Sequence, residues 1–450
     1  MGRRIPEFDS IITLFPGGFK PHNQYIVLAM EKTPTQPKSN SKYRLTVIGL
    51  IIFAALVFID PFGWFTPPSV FRPGVKPENA QEYARVIRTR GENAQDFLID
   101  ALQTHDVVYL SELGGLKEEP LFLAQTLPQA VDQGGADVLG VYFLLAEDQD
   151  AIDALLSAPE FDQEKAKELL FNRLPLWGYQ EYLEVLKAGW VVRQRESARA
   201  QSFRILGLNI RQNYSEISSE DDMKDPAKVR TILEPGIPDL AMADTLTGYL
   251  EDHPDSTVLA YTTREQAMPE VDLRMYTEQM EGLGYPDQYQ FARILHRRGY
   301  RDVAHITFHS PWPTNNTQNR SQYPAEGTVD AALDILLSDA TIPDLPVAVP
   351  VSGTAFAEVE ITDTIYAYGF GEDEQGTLYF GDMADAFIIL QRLNRLHGAT
   401  PIPHFVTAEN FDQAKETFPG PISSDIRIED FQTFIRKYAE NRSNILSDMK

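Results

Sequence analysis

Short runs of β-branched and aromatic residues alternate with longer amphipathic stretches from residue 80 to the end of the chain. This alternation is typical of α/β proteins, in which helices cover the faces of a sheet. The predicted strands are 107–110, 138–144, 203–208, 257–261, 303–308, 347–351, 365–368 and 386–390. The predicted helices are 80–104, 118–133, 148–157, 163–171, 178–199, 226–252, 287–299, 328–338 and 427–446. We therefore expect an α/β fold with a central mixed or mostly parallel sheet flanked by helices.

A continuous apolar segment lies near the N-terminus. Every residue from 45 to 59 is apolar, glycine or threonine, and Arg44 and Asp60 bound the segment. Its 15 residues would rise only about 22 Å as a helix, short of the roughly 30 Å hydrocarbon layer, but aromatic residues on both sides can occupy the interfaces. The pattern predicts one N-terminal transmembrane helix over 43–60, with the lipid bilayer contacted by residues 43–65.

The charges around this segment predict its orientation. Seven Lys or Arg residues precede it, whereas only Arg72 and Lys76 follow it closely. The positive-inside rule then predicts a single-pass membrane protein with a cytoplasmic N-terminus and the bulk of the chain in the periplasm or outside the cell. Two alternatives remain, a cleaved signal peptide and a helix buried in a soluble core, although the preceding stretch of more than 40 residues is long for a signal peptide.

These patterns divide the chain into four parts. Residues 1–42 are predicted to be a cytoplasmic tail, 43–60 the transmembrane helix, 61–79 a spacer and 80–450 an extracytoplasmic α/β domain. The spacer contains five prolines, which block helix formation and favour an extended chain. Because no long Gly/Ser linker follows the spacer, a single large domain is the simplest interpretation.

The amino-acid composition excludes several kinds of site and partner. The chain has 450 residues, no cysteine, and 65 acidic against 40 basic residues, which gives a formal net charge of -25. The lack of cysteine removes disulfides, thiolate nucleophiles and iron–sulfur ligation. The negative charge makes nucleic acid an unfavourable partner, because each phosphate contact requires a cation.

The loops that follow the strands are the first places to look for a site, because open α/β sheets bind ligands beyond the carboxyl ends of their strands. The predicted strand 107–110 is followed by Ser-Glu-Leu-Gly-Gly. In this loop Glu112 offers a carboxylate, and Gly114 and Gly115 permit close approach to the backbone. Such a carboxylate suits a general base, a metal ligand or a simple loop cap.

Histidines and aromatic residues are weaker candidates for a functional site. His305 and His309 lie four residues apart in a strand-like run. On an extended strand they would share a face but stand about 13 Å apart, which is too far for one metal. His309 follows a strand end and is a candidate for a pocket, with ordinary packing as the alternative. Trp177, Tyr179 and Tyr182 have the spacing of a helix packed in a core, which we favour over an aromatic ligand cage.

The order of motifs resembles a known superfamily. A strand ends in the Glu-Gly loop at 111–115, the next apolar strand leads to Asp-Gln at 148–149, and Trp-Gly-Tyr at 177–179 precedes a tyrosine-rich helix and the strand 203–208. This order resembles the superfamily that contains erythromycin-esterase-like hydrolases, ChaN-like haem-uptake lipoproteins and Tiki-like proteases. Two later segments are similar to its Arg-Asp-x-x-Met-Ala helix start and its Gly-x-x-His-Ala turn, at 239–243 and 263–267.

The sequence differs from the family pattern at positions that the family uses for catalysis. Glu112 and Asp239 match two of the family's carboxylates, but four other positions differ. Gly114 stands at the first-motif histidine, Tyr142 at the second carboxylate, Pro238 at the arginine and Gln266 at the later histidine. Because glycine, tyrosine and glutamine do not titrate near neutrality, the resemblance implies a diverged member with a degenerate active site.

Three functions follow from this interpretation. We expect a membrane-anchored, non-enzymatic scaffold or accessory subunit of a membrane protein complex, which needs a membrane protein partner but no cofactor or metal. The first alternative is a hydrolase of ester, amide or peptide bonds, with Glu112 as base and Asp239 or His309 recruited to the site. The second is haem or metal binding, with Tyr142 as a ligand and with Gly114, Gly115 and Gln266 beside it.

Overall fold

The computed structural model describes residues 70–71, 77–219, 221–314, 321–341, 343–368, 370, 376–420 and 426–449. The predicted tail 1–42, the predicted transmembrane helix 43–60 and most of the predicted spacer 61–79 lie outside these residues. Within the described ranges, no helix combines the length and the apolar character that crossing a bilayer requires.

The main sheet is mixed and mostly parallel, as predicted. The strands of the described residues are β1 (Val70–Phe71), β2 (Glu92–Asn93), β3 (Val107–Glu112), β4 (Ala136–Leu145), β5 (Arg204–Asn209), β6 (Thr257–Thr263), β7 (Val303–Phe308), β8 (Trp312–Pro313), β9 (Ser321–Gln322), β10 (Val347–Pro350) and β11 (Ala386–Ile389). Eight of them form one sheet in the order β2-β10-β11-β7-β3-β6-β4-β5. The six strands from β11 to β5 are parallel, whereas β10 is antiparallel to both of its neighbours. Strands β1, β9 and β8 form a separate small sheet.

Helices flank this sheet. Those of the described residues are α1 (Pro77–Arg90), α2 (Ala94–Thr104), α3 (Glu118–Asp132), α4 (Gln149–Ser157), α5 (Gln163–Arg173), α6 (Gln180–Arg193), α7 (Ala198–Ser202), α8 (Pro226–Ile232), α9 (Pro238–Asp252), α10 (Arg274–Gly282), α11 (Phe291–Arg297), α12 (Thr328–Ser338), α13 (Phe380–Met383), α14 (Phe411–Glu416) and α15 (Ile428–Asp448). The predicted α/β architecture of this part of the chain is confirmed.

Strand β3 lies at the centre of the sheet and is buried along its whole length. A parallel strand that is covered on both faces favours a nearly continuous apolar sequence, and β3 follows this rule until its last two residues, Ser111 and Glu112. The register places Leu110 beside Tyr261 of β6 and Ile306 of β7. Strand β3 therefore brings Glu112 to the carboxyl edge of the sheet, between the ends of two neighbouring strands.

Two of the predicted helices are each divided into two, at glycine or proline residues. The predicted helix 80–104 is two helices, because Gly91 follows the end of α1 and Glu92–Asn93 then pair with β10 before Asn93 caps α2. The predicted helix 226–252 is also two, α8 and α9, because Pro235 and Gly236 separate them and Pro238 begins the second.

Two further predictions of local structure are wrong in part or in full. The predicted strand 365–368 consists of a bend and turns, and the amide of Ala367 donates to the carbonyl of Thr364 at 3.2 Å. The apolar residues of this segment suggested a strand. Tyr366 is indeed buried, but the backbone around it is not extended. The predicted helix 178–199 ends at Arg193, and the short α7 follows.

The C-terminal part of the chain returns to the carboxyl end of β3. The amide of Ala399 donates to the carbonyl of Gly115 at 2.9 Å. Gly398 lies directly against α15, where its amide donates to Ser443 Oγ at 3.0 Å and an added Cβ would overlap the carbonyl oxygen of Ala439. The loop after β3 is therefore covered by this segment and by α15.

We predict that Gly398→Ala destabilises the protein by about 1–3 kcal/mol, because the new methyl group collides with backbone that cannot rotate away. Gly248→Ala, in α9, is the matched control, since an added Cβ there has no atom within 4 Å. It should leave stability unchanged or raise it by up to about 1 kcal/mol through helix propensity. Urea denaturation of both variants checks this, and equal stability of the two would contradict the close packing of α15 on Gly398.

Candidate functional site

Glu112 is buried at the carboxyl edge of the sheet and is bound by three phenol groups. Its Oε1 accepts hydrogen bonds from Tyr142 and from Tyr182, the latter at 2.5 Å, and its Oε2 accepts one from Tyr261. These tyrosines come from β4, α6 and β6, three elements far apart in the sequence. Both carboxyl oxygens are therefore satisfied by side chains of the protein.

The electrostatics of this cluster favour protonated phenols. Burial and the negative charge of Glu112 raise the pKa values of Tyr142, Tyr182 and Tyr261 well above the ordinary value, so each phenol keeps its proton and can donate it in a hydrogen bond. Burial also raises the pKa of Glu112, and the three hydrogen bonds and the charge of Arg442 offset this only in part.

The glycine loop is covered by two aromatic rings. Gly114 and Gly115 adopt φ values of +83° and +76°, a left-handed conformation that favours glycine. A Cβ on Gly114 would lie 3.1 Å from Trp177 Cζ2, and one on Gly115 would overlap the ring of Tyr438 from α15. The two rings pack together with centroids 5.5 Å apart. The close approach that the two glycines permit is thus used by side chains of the protein itself.

A second buried carboxylate, Glu119, follows the loop in the first turn of α3. Its Oε2 accepts a hydrogen bond from the amide of Leu113 at 3.0 Å. Burial and the charge of Glu112 raise the pKa of Glu119 to about 8, although the charge of Arg264 and a hydrogen bond from Ser310 act in the opposite direction. The two carboxyl groups therefore disfavour each other's ionisation.

Arg264 is the buried cation beside this carboxylate and is only 1% exposed. Its guanidinium donates to Ser310 Oγ at 2.7 Å, to Thr307 Oγ1 at 3.0 Å and to the carbonyl of Phe308 at 3.2 Å. These partners hold the guanidinium at the ends of β6 and β7. Arg264 and Glu119 were not singled out from the sequence.

Asp239 and Gln266 lie together in a different environment, at the start of α9. Asp239 Oδ1 accepts from the amide of Phe291 at 3.3 Å, and the side chain of Gln266 also bonds to this carboxyl group. Burial raises the pKa of Asp239 to about 7, and these hydrogen bonds limit the rise. In the described residues, neither Asp239 nor Gln266 is bonded to Glu112.

His305, in β7, and His309, directly after that strand, are buried in separate contacts. His309 Nε2 lies 3.4 Å from Asp330 Oδ2 of α12. His305 Nε2 lies 2.8 Å from Ser111 Oγ, and its Nδ1 lies 2.5 Å from the carbonyl oxygen of Met383. Burial lowers the pKa of His305 to about 4. The structure thus brings Tyr142, Gly114 and Gly115 to Glu112, but it does not bring His309 or Asp239 into the same cluster.

This arrangement limits the chemistry of Glu112. A general base must reach a water molecule or a substrate proton through a hydrogen bond, and the carboxyl group of Glu112 is held by phenols in a site without solvent exposure. Across the described residues, no group of three or more His, Asp or Glu side chains is placed to hold a metal ion.

The chain is similar to several solved structures at low sequence identity. No family model and no curated protein matches the chain. Among solved structures, it is similar to an erythromycin esterase mutant, EreC, in its open conformation (11% identity, TM-score 0.42, 65% of this chain and 92% of that chain). It is also similar to a protein from Bacillus cereus (10%, 0.43, 71% and 98%) and to ChaN of Campylobacter jejuni in a study of cofacial haem binding (12%, 0.29, 48% and 85%). These structures include the kinds of protein that the predicted resemblance names, and at these identities and TM-scores they carry no conclusion about activity.

We predict that Tyr261→Phe destabilises the protein more than Tyr182→Phe. Tyr261 is the donor to Oε2, whereas Oε1 keeps Tyr142 when Tyr182 is changed. Loss of a hydrogen bond to a buried charged group costs about 1.5–3 kcal/mol, so we expect a loss in this range for Tyr261→Phe and about 1 kcal/mol for Tyr182→Phe. Urea denaturation at neutral pH measures both, and a smaller loss for Tyr261→Phe than for Tyr182→Phe would contradict the assignment of donors.

Proposed function

We propose that the chain is a membrane-anchored, extracytoplasmic α/β domain without hydrolase activity, which acts as a scaffold or accessory subunit of a membrane protein complex. The observation that carries this proposal is the environment of Glu112. Its two oxygens are bonded to three phenols, and the glycine loop beside it lies under Trp177 and α15.

The residues around Glu112 support a structural role for this carboxylate. A hydrolase that uses a carboxylate requires a water within reach and a partner that accepts or returns a proton near neutral pH. The phenols of Tyr142, Tyr182 and Tyr261 have raised pKa values and are committed to the carboxyl group. They stabilise the fold at the carboxyl edge of the sheet.

The membrane part of the proposal rests on the sequence of residues 45–59. The apolar run, the cationic tail before it and the proline-rich spacer after it together favour a domain held close to the bilayer. A domain that is tethered in this way and does not turn over a substrate is suited to position or stabilise a neighbouring membrane protein. The partner we expect is therefore another membrane protein.

The hydrolase alternative is tested with Glu112→Gln, which keeps the shape of the side chain and removes its charge. We expect the wild-type chain to hydrolyse p-nitrophenyl acetate, p-nitrophenyl butyrate and a casein-derived peptide mixture no faster than Glu112→Gln, with both close to the uncatalysed rate. Turnover by the wild type that falls at least tenfold in Glu112→Gln, with unchanged circular dichroism, would contradict the proposal and support a hydrolase.

Membrane anchoring is tested by two arginine substitutions in the apolar segment, Ile52→Arg and Leu56→Arg. Each charge at the centre of a span costs about 2.5–3.5 kcal/mol on the insertion scale. We expect the wild type to stay in the membrane pellet after alkaline carbonate washing and the double variant to move to the supernatant. The control carries the same charges in the tail, as Thr35→Arg and Ser39→Arg, and should behave as the wild type.

The same membrane preparations test whether the chain associates with another membrane protein. After extraction in a mild detergent, the wild-type chain should migrate on size exclusion together with another membrane protein, at a mass well above its own. A wild-type chain that washes off the membrane with carbonate, or one that migrates alone in detergent, would contradict the proposed role in a membrane complex.

A further inference from the structure

A cavity of about 220 Å³ opens at the opposite edge of the sheet from Glu112, beside the amino end of the edge strand β5. Leu156 of α4 and Phe203, just before β5, are buried and form its apolar floor. Ser157 and Ser202 contribute hydroxyl groups to its walls. The volume is many times the 10–15 Å³ or so that one water requires, so a small organic molecule fits.

The charged residues of the cavity leave one cation without a carboxylate partner. Arg204 is committed to Asp153, since the two side chains form an ion pair in which the Arg204 Nε lies 3.4 Å from Asp153 Oδ1. Arg193, in the last turn of α6, makes only a long hydrogen bond to Ser157 Oγ, at 3.4 Å. Within the residues that the structure describes, Arg193 has no carboxylate in ion-pair distance.

The usual role of an arginine at a helix end does not explain Arg193. Cations near helix C-termini commonly bond the last carbonyl groups. Here the carbonyls of Trp190 and Val192, in the last turn of α6, accept from the backbone amides of Gln194 and Arg195 at 3.2 and 3.0 Å. Within the described residues the side chain of Arg193 is bonded to Ser157 Oγ and to no carbonyl group of its helix. The guanidinium of Arg193 is thus left to face the cavity.

We propose that this cavity binds a small organic oxyanion, a carboxylate or a phosphate monoester, through Arg193. A guanidinium matches two oxygens of either group in a bidentate arrangement. The hydroxyls of Ser157 and Ser202 supply further donors, and the apolar floor receives the carbon part of the ligand. The site lies apart from Glu112 and does not depend on the role proposed for that residue.

The test uses the full-length chain in a non-ionic detergent, with thermal unfolding as the readout. Phenyl phosphate and benzoate serve as probes, each titrated against sodium chloride at matched ionic strength. We expect a saturable rise in Tm with at least one probe, and an apparent affinity at least tenfold weaker in Arg193→Ala. Arg193→Lys keeps the positive charge but loses the bidentate geometry of the guanidinium, so its apparent affinity should lie between those of the wild type and Arg193→Ala. A response to phenyl phosphate alone assigns a phosphate ligand, and a response to benzoate alone assigns a carboxylate.

The control is Arg436→Ala, which removes one positive charge from an exposed position on α15. It should bind the probe as the wild type does. Circular dichroism and the Tm without probe establish that Arg193→Ala is folded, which we expect because Arg193 is only partly buried. The absence of a saturable rise in the wild type, or equal responses in Arg193→Ala and Arg436→Ala, would overturn the proposal.

Discussion

The structure depends on how one carboxyl group is kept away from water. An ionisable side chain that is buried must be neutralised or surrounded by hydrogen-bond donors, because an unpaired buried charge costs several kcal/mol. Glu112 is surrounded by the phenols of Tyr142, Tyr182 and Tyr261, and burial raises its pKa. One side chain thereby fixes the positions of β3, β4, β6 and α6 relative to each other.

The two edges of the parallel sheet differ in what covers them. At the carboxyl edge, the left-handed glycines after Glu112 allow Trp177 and Tyr438 to lie against the backbone, and the C-terminal helix closes over them. At the amino end of β5 a cavity remains, and Arg193 in its wall has no carboxylate within ion-pair distance among the described residues. In most open α/β sheets the carboxyl edge binds the ligand. Here that edge is filled by the protein, and the proposed ligand site lies at the other one.

The sequence predicted the architecture, and it also drew attention to some of the residues that lie around Glu112. Alternation of apolar runs with amphipathic stretches identified the strands of the parallel sheet. Gly114 and Gly115 follow β3 as predicted, whereas Glu112, predicted in the loop, is the last residue of the strand. Tyr142 was reached through the resemblance, which aligned it with a carboxylate. The architecture could be predicted because it depends on local periodicity and on the order of elements.

The remaining members of the site could not be found from the sequence. Tyr182 has the spacing of a core helix, and nothing local indicates that its hydroxyl bonds a carboxylate rather than water or backbone. Tyr261 would have been a candidate only with the strand order known, since its neighbour in the register is Leu110. Arg264 and Glu119 owe their roles to burial by distant elements. Asp239 and His309 are chemically suited to catalysis, but the fold places them with other partners.

The most direct measurement of the central claim is a double-mutant cycle between Glu112→Gln and Tyr261→Phe, with the free energy of unfolding as the readout. If the phenol holds the carboxyl group as described, the two changes are coupled, and their effects differ from additivity by at least about 1 kcal/mol. Additive effects, within about 0.3 kcal/mol, would show that Glu112 is not held by this phenol and would contradict the account.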